Sequence, residues 1–572
     1  MNTSKYPWWL SEVVYQIYPR SFQDSNGDGI GDLPGIISRL DYLKDLGVTM
    51  LWLSPCFLSP MADNGYDISD YRAIAPEFGS MEDMDRLIAE AGKRSIKIML
   101  DLVVNHSSDE HIWFQRALKD PEGPWGDYYI FRKTDRPLAN WRSIFGGNVW
   151  EKAGDYYYYH TFHRKQPDLN WDNEKLREEV ISIVRWWLDK GVSGFRVDAI
   201  TFLKKEDFSR NYPPDGADGL ANVGAFGQDV EGIGGYLTEL KREAFDYKPC
   251  LTVAEAFGVK DENVAHYVGE DGYFDIIFDF KAADLDYAGE WYHRTSWTVK
   301  DWEDKIMHDQ LRTQNYGWCA NFIENHDQPR AASKYLKEYA DRPEAVKTLG
   351  AMYFFLRGVP FIYQGQELGM VNFKRDHIGQ FDDLSSIDVF QRGLAEGRSA
   401  EEMTGVLNLR SRDHGRTPYP WDKSRYGGFS DHKPWLEMTE EYPAINLKDQ
   451  IQDPDSIYSF YKELICFRQK GKWKDCLRYG SIERYTSDNA GDSRGAGMDQ
   501  VISYVRKYGD VKLYCWFNFS NRPVTVRLPC DVAAENEAEL AEISWHTQDK
   551  VDIAGDVLCL RPWQSVVLRA GI

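Results

Sequence analysis

The sequence predicts an α/β protein: a (β/α)8 TIM barrel with an inserted subdomain after strand 3 and a C-terminal antiparallel β domain. Three observations predict it. Eight short apolar runs, rich in β-branched and aromatic residues, recur along the chain. Helix-like segments separate them, which is the pattern of parallel strands buried on both faces. Two segments break that rhythm, one polar and aromatic after the third run, one alternating apolar and polar near the end. At 572 residues the chain is too long for one core, so two or three domains are expected.

The first run is EVVYQIYPRSF at 12–22. A helix is then expected to open near Pro34, to carry Ile36, Ile37, Leu40 and Leu43 on one face, and to stop at Gly47. VTMLWLSP (48–55) and SIKIMLDLVVNH (95–106) are the second and third strands. SGFRVDAI, CLTVAEAF, GYFDIIFDF, WCANFIEN and GVPFIYQG complete the eight. The barrel is therefore assigned to 1–106 and 171–480. The inserted subdomain is 107–170, which includes GDYYYYHTFHRKQPDLNW, and a β-sandwich is 481–572.

Composition excludes several functions. A net charge of −22 repels phosphate backbones, so nucleic acid is not an expected partner. No apolar run is long enough for a membrane span, and MNTSKYPWWLSEVVYQ lacks the pattern of a secretory signal. The eight cysteines, Cys530 among them, form no metal-type pair and read as buried free thiols of a reducing compartment. A cytoplasmic protein, monomer or dimer, is the expectation. Packing accounts for most of the 20 Trp and 34 Tyr, and a subset could be flat platforms for the apolar faces of sugar rings.

DSNGDGIGD (24–32) is a dense set of hard oxygen donors. Asp24, Asn26, Asp28 and Asp32, with the Ile30 carbonyl, could face a calcium or magnesium ion. The helix–loop–helix calcium loop ends in a glutamate at its twelfth position. Here that position is Gly35, so that motif is excluded. A plain glycine-rich turn is the other reading.

In such barrels the chemistry lies at the C-terminal strand ends. Polar residues there are Asn105 and His106, then Arg196 and Asp198, then Glu255, then Glu324, Asn325, His326 and Asp327. Arg196 and Asp198 are two apart on a strand and share a face, so the guanidinium is expected to keep Asp198 ionised, as a nucleophile requires. Glu255, between Ala254 and Ala256, is expected to hold its proton in an apolar setting and serve as an acid. Two carboxylates so divided are the retaining glycosidase arrangement. A single buried Asp–Arg pair is more often structural, and His106 and His326 match no zinc spacing. Several ionisable strand ends together are harder to explain as packing.

DLVVNH, GFRVDAI, TVAEAF and FIENHDQPR resemble the four signature segments of the α-amylase family, glycoside hydrolase family thirteen. QPDLNW, YQGQELGM and SRDHGRTPYPWD resemble its α-glucosidase and oligo-1,6-glucosidase branch. The resemblance implies Asp198 as nucleophile, Glu255 as acid/base and Asp327 as transition-state stabiliser, with His106, Arg196 and His326 in the first sugar subsite. It implies a structural cation on the Asp24, Asn26, Asp28, Ile30, Asp32 loop. It implies that Asp67 and Arg412 close the pocket around a non-reducing end, with Tyr66 beneath the ring and Phe162 and Gln166 on the wall. A loop ion pair without substrate contact is the other reading of Asp67.

An exo-acting α-glucosidase on small α-gluco-oligosaccharides follows. Ala199, after the nucleophile, leans toward α-1,4 or mixed linkage, because valine there accompanies α-1,6. The family's Met-Gln is replaced by Tyr419-Pro420, which bears on the leaving-group contacts. Sucrose or maltose isomerases and transglucosidases are the alternative. Sucrose isomerases carry an arginine-rich loop after strand 6, whereas KAADLDYAGEW has none. A non-catalytic transporter-associated relative would lack the three carboxylates and have a span.

Overall fold

The computed structural model describes residues 6–485, 497–529, 532, 542–548 and 550–570. Eight parallel strands close a barrel: β1 Val14–Ile17, β2 Met50–Leu53, β3 Lys97–Val103, β4 Gly194–Asp198, β5 Leu251–Glu255, β6 Ile276–Phe278, β7 Trp318–Asn321 and β8 Gly358–Tyr363. β8 pairs back onto β1 with Val14 opposite Phe361, so no edge is left open. Alternate side chains fill the interior with Met50, Trp52, Met99, Val253, Phe278 and Phe361, while the others pack outward on helices.

Local chemistry sets the helices. Ser80 and Asp83 form a capping box on Met81–Lys93, and Asn173 caps Glu174–Lys190, which stops at Gly191 with φ 104°. The helix expected from Pro34 to Gly47 is two. α1 (Leu33–Ser38) and α2 (Leu40–Leu46) meet at Arg39, which has φ −107° and ψ 4°. The Arg39 side chain turns to Gln23, its Nε donating at 2.8 Å, and lies over Trp421. Ile37 is consequently only half-buried.

Between β3 and β4 lie a helix, Ile112–Lys119, and a three-stranded antiparallel sheet ordered Phe131–Lys133, Tyr156–Tyr159, Trp150–Ala153. Its aromatic core of Trp141, Trp150 and Tyr159 is completed from outside the insertion. Phe208, Tyr212 and Phe226, which follow β4, pack into it, and Ala221–Asn222 pairs with Trp141–Arg142. Lys205 fastens this body to the barrel, its ammonium donating to Asn105 Oδ1 at 2.8 Å, the Phe202 carbonyl at 2.7 Å and Asp168.

At the C-terminal end an antiparallel five-stranded sheet runs Ser481–Arg484, Val501–Tyr508, Val511–Asn518, Ser565–Arg569, Glu542–His546. A three-stranded sheet, Val524–Arg527, Val557–Leu560, Asp552–Ala554, packs on one face through Val526, Leu558, Leu560 and Trp516. The other face, with Tyr504, Cys515 and Phe517, joins the barrel's helical layer. Cys56, Cys319, Cys476 and Cys515 are buried free thiols as expected, whereas Cys466 is exposed. Cys530 lies outside the described residues. Among the described residues no helix is long and apolar enough to cross a membrane.

Candidate active site

The strand ends converge on one guanidinium. Arg196 on β4 stands in register with Asp101 on β3 and Val253 on β5. Its Nη1 donates to Asp101 Oδ1 and Asp198 Oδ1, both at 2.7 Å, and its Nη2 to Glu255 Oε1. Glu255 Oε2 accepts the Ala199 N–H at 2.9 Å. Ala199 adopts a left-handed conformation (φ 46°) to present that N–H, strain of the kind stored at functional sites. Asp101 also accepts from Trp52 Nε1 at 3.1 Å and Tyr66 OH at 2.9 Å.

His326 links this floor to the third carboxylate. Gln16 Nε2 donates to its Nδ1 at 2.8 Å, which leaves the proton on Nε2, 2.5 Å from Tyr66 OH and 3.1 Å from Asp327 Oδ2. Arg412 Nη1 (3.0 Å) and Arg416 Nη2 (3.1 Å) donate to Asp327 Oδ1. Burial would raise the Asp327 carboxyl, but His326, Arg412 and Arg416 together hold it well below the ordinary carboxylate range.

Asp198 and Glu255 behave otherwise. Burial raises both, and the surrounding carboxylates add to it, against the pull of Arg196. The expectation that Arg196 alone keeps Asp198 ionised is therefore corrected: one cation is divided among three carboxylates. The pair is best described as jointly holding a proton. His106 is neutral for the same reason, burial carrying it down to about 4, and its Nε2 lies 3.0 Å from the Tyr66 carbonyl.

A cavity of about 230 Å³ opens above this floor. Tyr66, His106, Phe162, Asp198, Glu255, Asp327 and Arg412 line it. Arg196, Gln166 and His326 lie behind them and hold them. Asp67 does neither. Its oxygens accept the N–H groups of Ala62 (2.8 Å) and Asp63 (2.9 Å), and burial pushes its pKa up to about 6. Asp63 takes the place expected of it: Arg412 Nη2 reaches Asp63 Oδ1 at 3.3 Å, and Gln166 Nε2 donates to Asp63 Oδ2 at 3.1 Å. The cause is local. Asn64 (φ 49°) and Gly65 (φ 103°) are both left-handed, so the chain reverses between the two aspartates. Asp63 then faces the cavity while Asp67 closes the turn behind it. The Asp-Asn-Gly turn signature was the available signal.

The mouth was not foreseen. Ile144 and Phe145 come from the insertion, Phe202 and Gln228 from the segment after β4, and Phe257 and Phe280 from the ends of β5 and β6. Asp284, Tyr287 and Trp291 come from the β6 loop, with Arg410 from a helix end. Phe257 and Phe280 stack at 4.1 Å. Arg142, buried in the insertion, joins three of these loops by pairing with Asp215, with Asp218 at 2.8 Å and with Glu290 at 3.6 Å. Tyr419, where the sequence departs from the family, makes no part of the mouth. It is fully buried and donates to Glu367 Oε1 at 2.7 Å.

The oxygen-rich loop is closed by its own hydrogen bonds. Asp24 accepts the N–H groups of Asn26 (3.0 Å), Gly27 (2.7 Å) and Gly29 (2.8 Å) and the Ser430 hydroxyl (2.5 Å). Asn26 and Asp28 accept from Asp28 and Ile30, and Asp32 caps α1 through Gly35. The donor set suits calcium or magnesium chemically. Among the described residues no three Asp, Glu, His or Cys side chains are grouped to hold a metal.

Comparison with known proteins matches residues 16–480 to the α-amylase catalytic domain and 501–567 to the C-terminal domain of the α-amylase SusG. An oligo-1,6-glucosidase of Halalkalibacterium halodurans is 40% identical over 92% of each chain. A probable oligo-1,6-glucosidase of Bacillus subtilis is 43% identical over 88% of this chain and 89% of its own. The solved structure of the isomaltulose synthase of Protaminobacter rubrum, 35% identical, covers both chains fully with a TM-score of 0.91. The barrel with carboxylates at its fourth, fifth and seventh strand ends is thus that of a glycosidase, and the chain belongs to the α-amylase family of glycoside hydrolases.

Proposed function

We propose that the protein is an exo-acting, retaining α-glucosidase that releases terminal glucose from the non-reducing end of short α-1,4- or α-1,6-linked oligosaccharides. The observation that carries this reading is the wall made by Arg412, bonded at once to Asp63, Asp327 and Asp383 (2.6 Å). A guanidinium tied to carboxylates on the cavity wall fixes the hydroxyls of one terminal ring and leaves no groove for a longer chain to run through.

The residues supply each step. The proton shared by Asp198 and Glu255 is delivered from Glu255 to the glycosidic oxygen, and Asp198 Oδ attacks the anomeric carbon. The leaving sugar departs with that proton. Water then loses a proton to Glu255, displaces Asp198 and restores the starting state. Asp327, kept ionised by its three cationic and hydrogen-bonding neighbours, accepts ring hydroxyls while positive charge develops on the sugar. Ala199, beside Glu255 on the cavity wall, supports the use of both linkages. A methyl-scale change there is worth only about 1–3 kcal/mol of discrimination.

A second reading, isomerisation or glucosyl transfer, is favoured by one observation: the β6-loop stretch 281–291 has no arginine, yet Arg410 brings a guanidinium to it. A leaving sugar held there could return to the covalent intermediate in place of water. Incubation with maltose, isomaltose and sucrose, with products resolved by chromatography, separates the readings. Free glucose supports hydrolysis; rearranged disaccharide with little glucose supports isomerisation and overturns it. The buried thiols support a cytoplasmic location, and the donor chemistry of residues 24–32 supports a structural divalent cation.

A further inference from the structure

The β6 loop is held in place from outside itself. Lys334 Nζ donates to the Ala283 carbonyl and, at 2.8 Å, to Gln328 Oε1, and Gln328 lines the cavity. Arg410 Nη1 donates to Asp286 Oδ1 at 2.8 Å, and its guanidinium lies 4.4 Å over the Tyr287 ring. Arg410 ends the helix Ala400–Arg410, two residues before the Arg412 that closes the floor, so one chain segment reaches both ends of the cavity. Between these contacts one wall carboxylate is left over. Asp284 Oδ1 is buried and accepts no hydrogen bond, with Arg410 Nη2 standing off at 3.5 Å. Arg410 Nε also lacks an acceptor. The Asp284 side chain is 29% exposed where it lines the cavity, so its other oxygen can accept from a ligand there, and a sugar hydroxyl is such a donor.

We propose that Asp284 accepts a hydroxyl of the leaving sugar and that Arg410 is the positioning residue that sets Asp284 and the Tyr287 ring to receive it. The site takes a neutral hexose unit, since Asp284 and Asp286 are balanced by the Arg410 guanidinium and the Lys334 ammonium and leave no net charge for an ionic ligand to pair with. Asp284 is specificity-determining because it engages only the part of the substrate beyond the scissile bond. The proposal rests on the glucosidase reading, and its test distinguishes the failure of either.

In an Asp198→Ala background, which stops turnover, the affinities for maltose, isomaltose and methyl α-glucoside are measured by titration calorimetry. The last ligand has no leaving sugar. Asp284→Asn and Arg410→Met are expected to weaken the two disaccharides at least tenfold more than methyl α-glucoside. Arg410→Lys is expected to recover part of the difference, which a purely structural role would not grant selectively. Equal losses for all three ligands, or none, overturn the proposal while leaving the glucosidase reading intact. A background protein that binds none of them overturns that reading and this one with it.

Discussion

The floor and the mouth of the cavity are built on opposite principles. On the floor, Arg196, Asp101, Asp198 and Glu255 sit on adjacent barrel strands, and their spacing is dictated by strand register. The mouth is assembled from loops after β3, β4, β5 and β6 and a helix end, tied by long-range pairs such as Arg142 with Glu290 and Arg410 with Asp286. A rigid floor suits bond making, which needs reacting atoms held to fractions of an ångström. A loop-built mouth can be exchanged without disturbing it, which fits a fold shared by hydrolases and isomaltulose synthases.

The sharpest break in this comparison is Asp198→Asn. We expect kcat/KM on an aryl α-glucoside to fall about 10⁴-fold, the scale seen when a covalent nucleophile is removed. We expect the same change to raise stability at pH 7. The folded Asp198 pKa lies above that of the unfolded chain, so ionising it costs the native state as pH rises past the unfolded value. Asparagine removes that cost. The gain should shrink as pH falls toward 4 and vanish only below the unfolded carboxyl's pKa of about 3.9, where both states are protonated. Thermal unfolding at both pH values checks the sign, and a variant less stable at pH 7 would show that Arg196 outweighs burial.

The two aspartates of the Asp63–Asp67 turn separate floor from scaffold. Asp63→Asn loses the charged partner of Arg412 and should cost about 10²-fold in kcat/KM, on the order of the 1.5–3 kcal/mol of a charged hydrogen bond. Asp67→Asn leaves a buried N–H without its acceptor and should cost about 1–3 kcal/mol of stability with a smaller loss of activity. The opposite pattern, in steady-state kinetics and denaturant unfolding, would restore Asp67 to the site.

These residues show what the sequence could and could not tell. The floor was legible because strands impose a period of two, and the carboxylates end apolar runs. Asp198, Glu255 and Asp327 were named on that basis. Asp63 was not, because side-chain direction in a turn depends on two left-handed residues, not on spacing. Phe208, Tyr212 and Phe226 read from sequence as part of a barrel connection, because nothing local marks a segment that completes another subdomain. Arg410 was invisible for the same reason: the loop it serves lies over a hundred residues away in sequence. The split of the 34–47 helix at Arg39 needed the tertiary partners Gln23 and Trp421.

In the mouth, Trp291→Ala should act modestly and selectively. Losing an aromatic platform costs about 1–1.5 kcal/mol, so KM for maltose should rise about tenfold with kcat nearly kept. A fall in kcat of the same size would mean that the mouth also orients the scissile bond, and the division between the two regions would weaken.

The effect with the least bearing on activity lies outside both regions, in the loop 24–32. Asp24 already accepts three backbone N–H groups and a hydroxyl, and Asp32 caps α1, so the turn is held without help. A cation there would add only the mass-action increment of binding to the folded state, about 2.7 kcal/mol at a hundredfold excess over Kd. In a chain of this size that is at most a few degrees in Tm. We therefore expect EDTA to lower Tm by a few degrees, calcium or magnesium to restore it, and Asp28→Ala to abolish the response. Asp28 separates the two readings because its side chain bonds only the Ile30 N–H in the turn. A Tm indifferent to chelator and ion alike would make the loop a hydrogen-bonded turn and nothing more. It would also show that a dense run of aspartates can be a folding device, with backbone N–H groups in the place a cation would take.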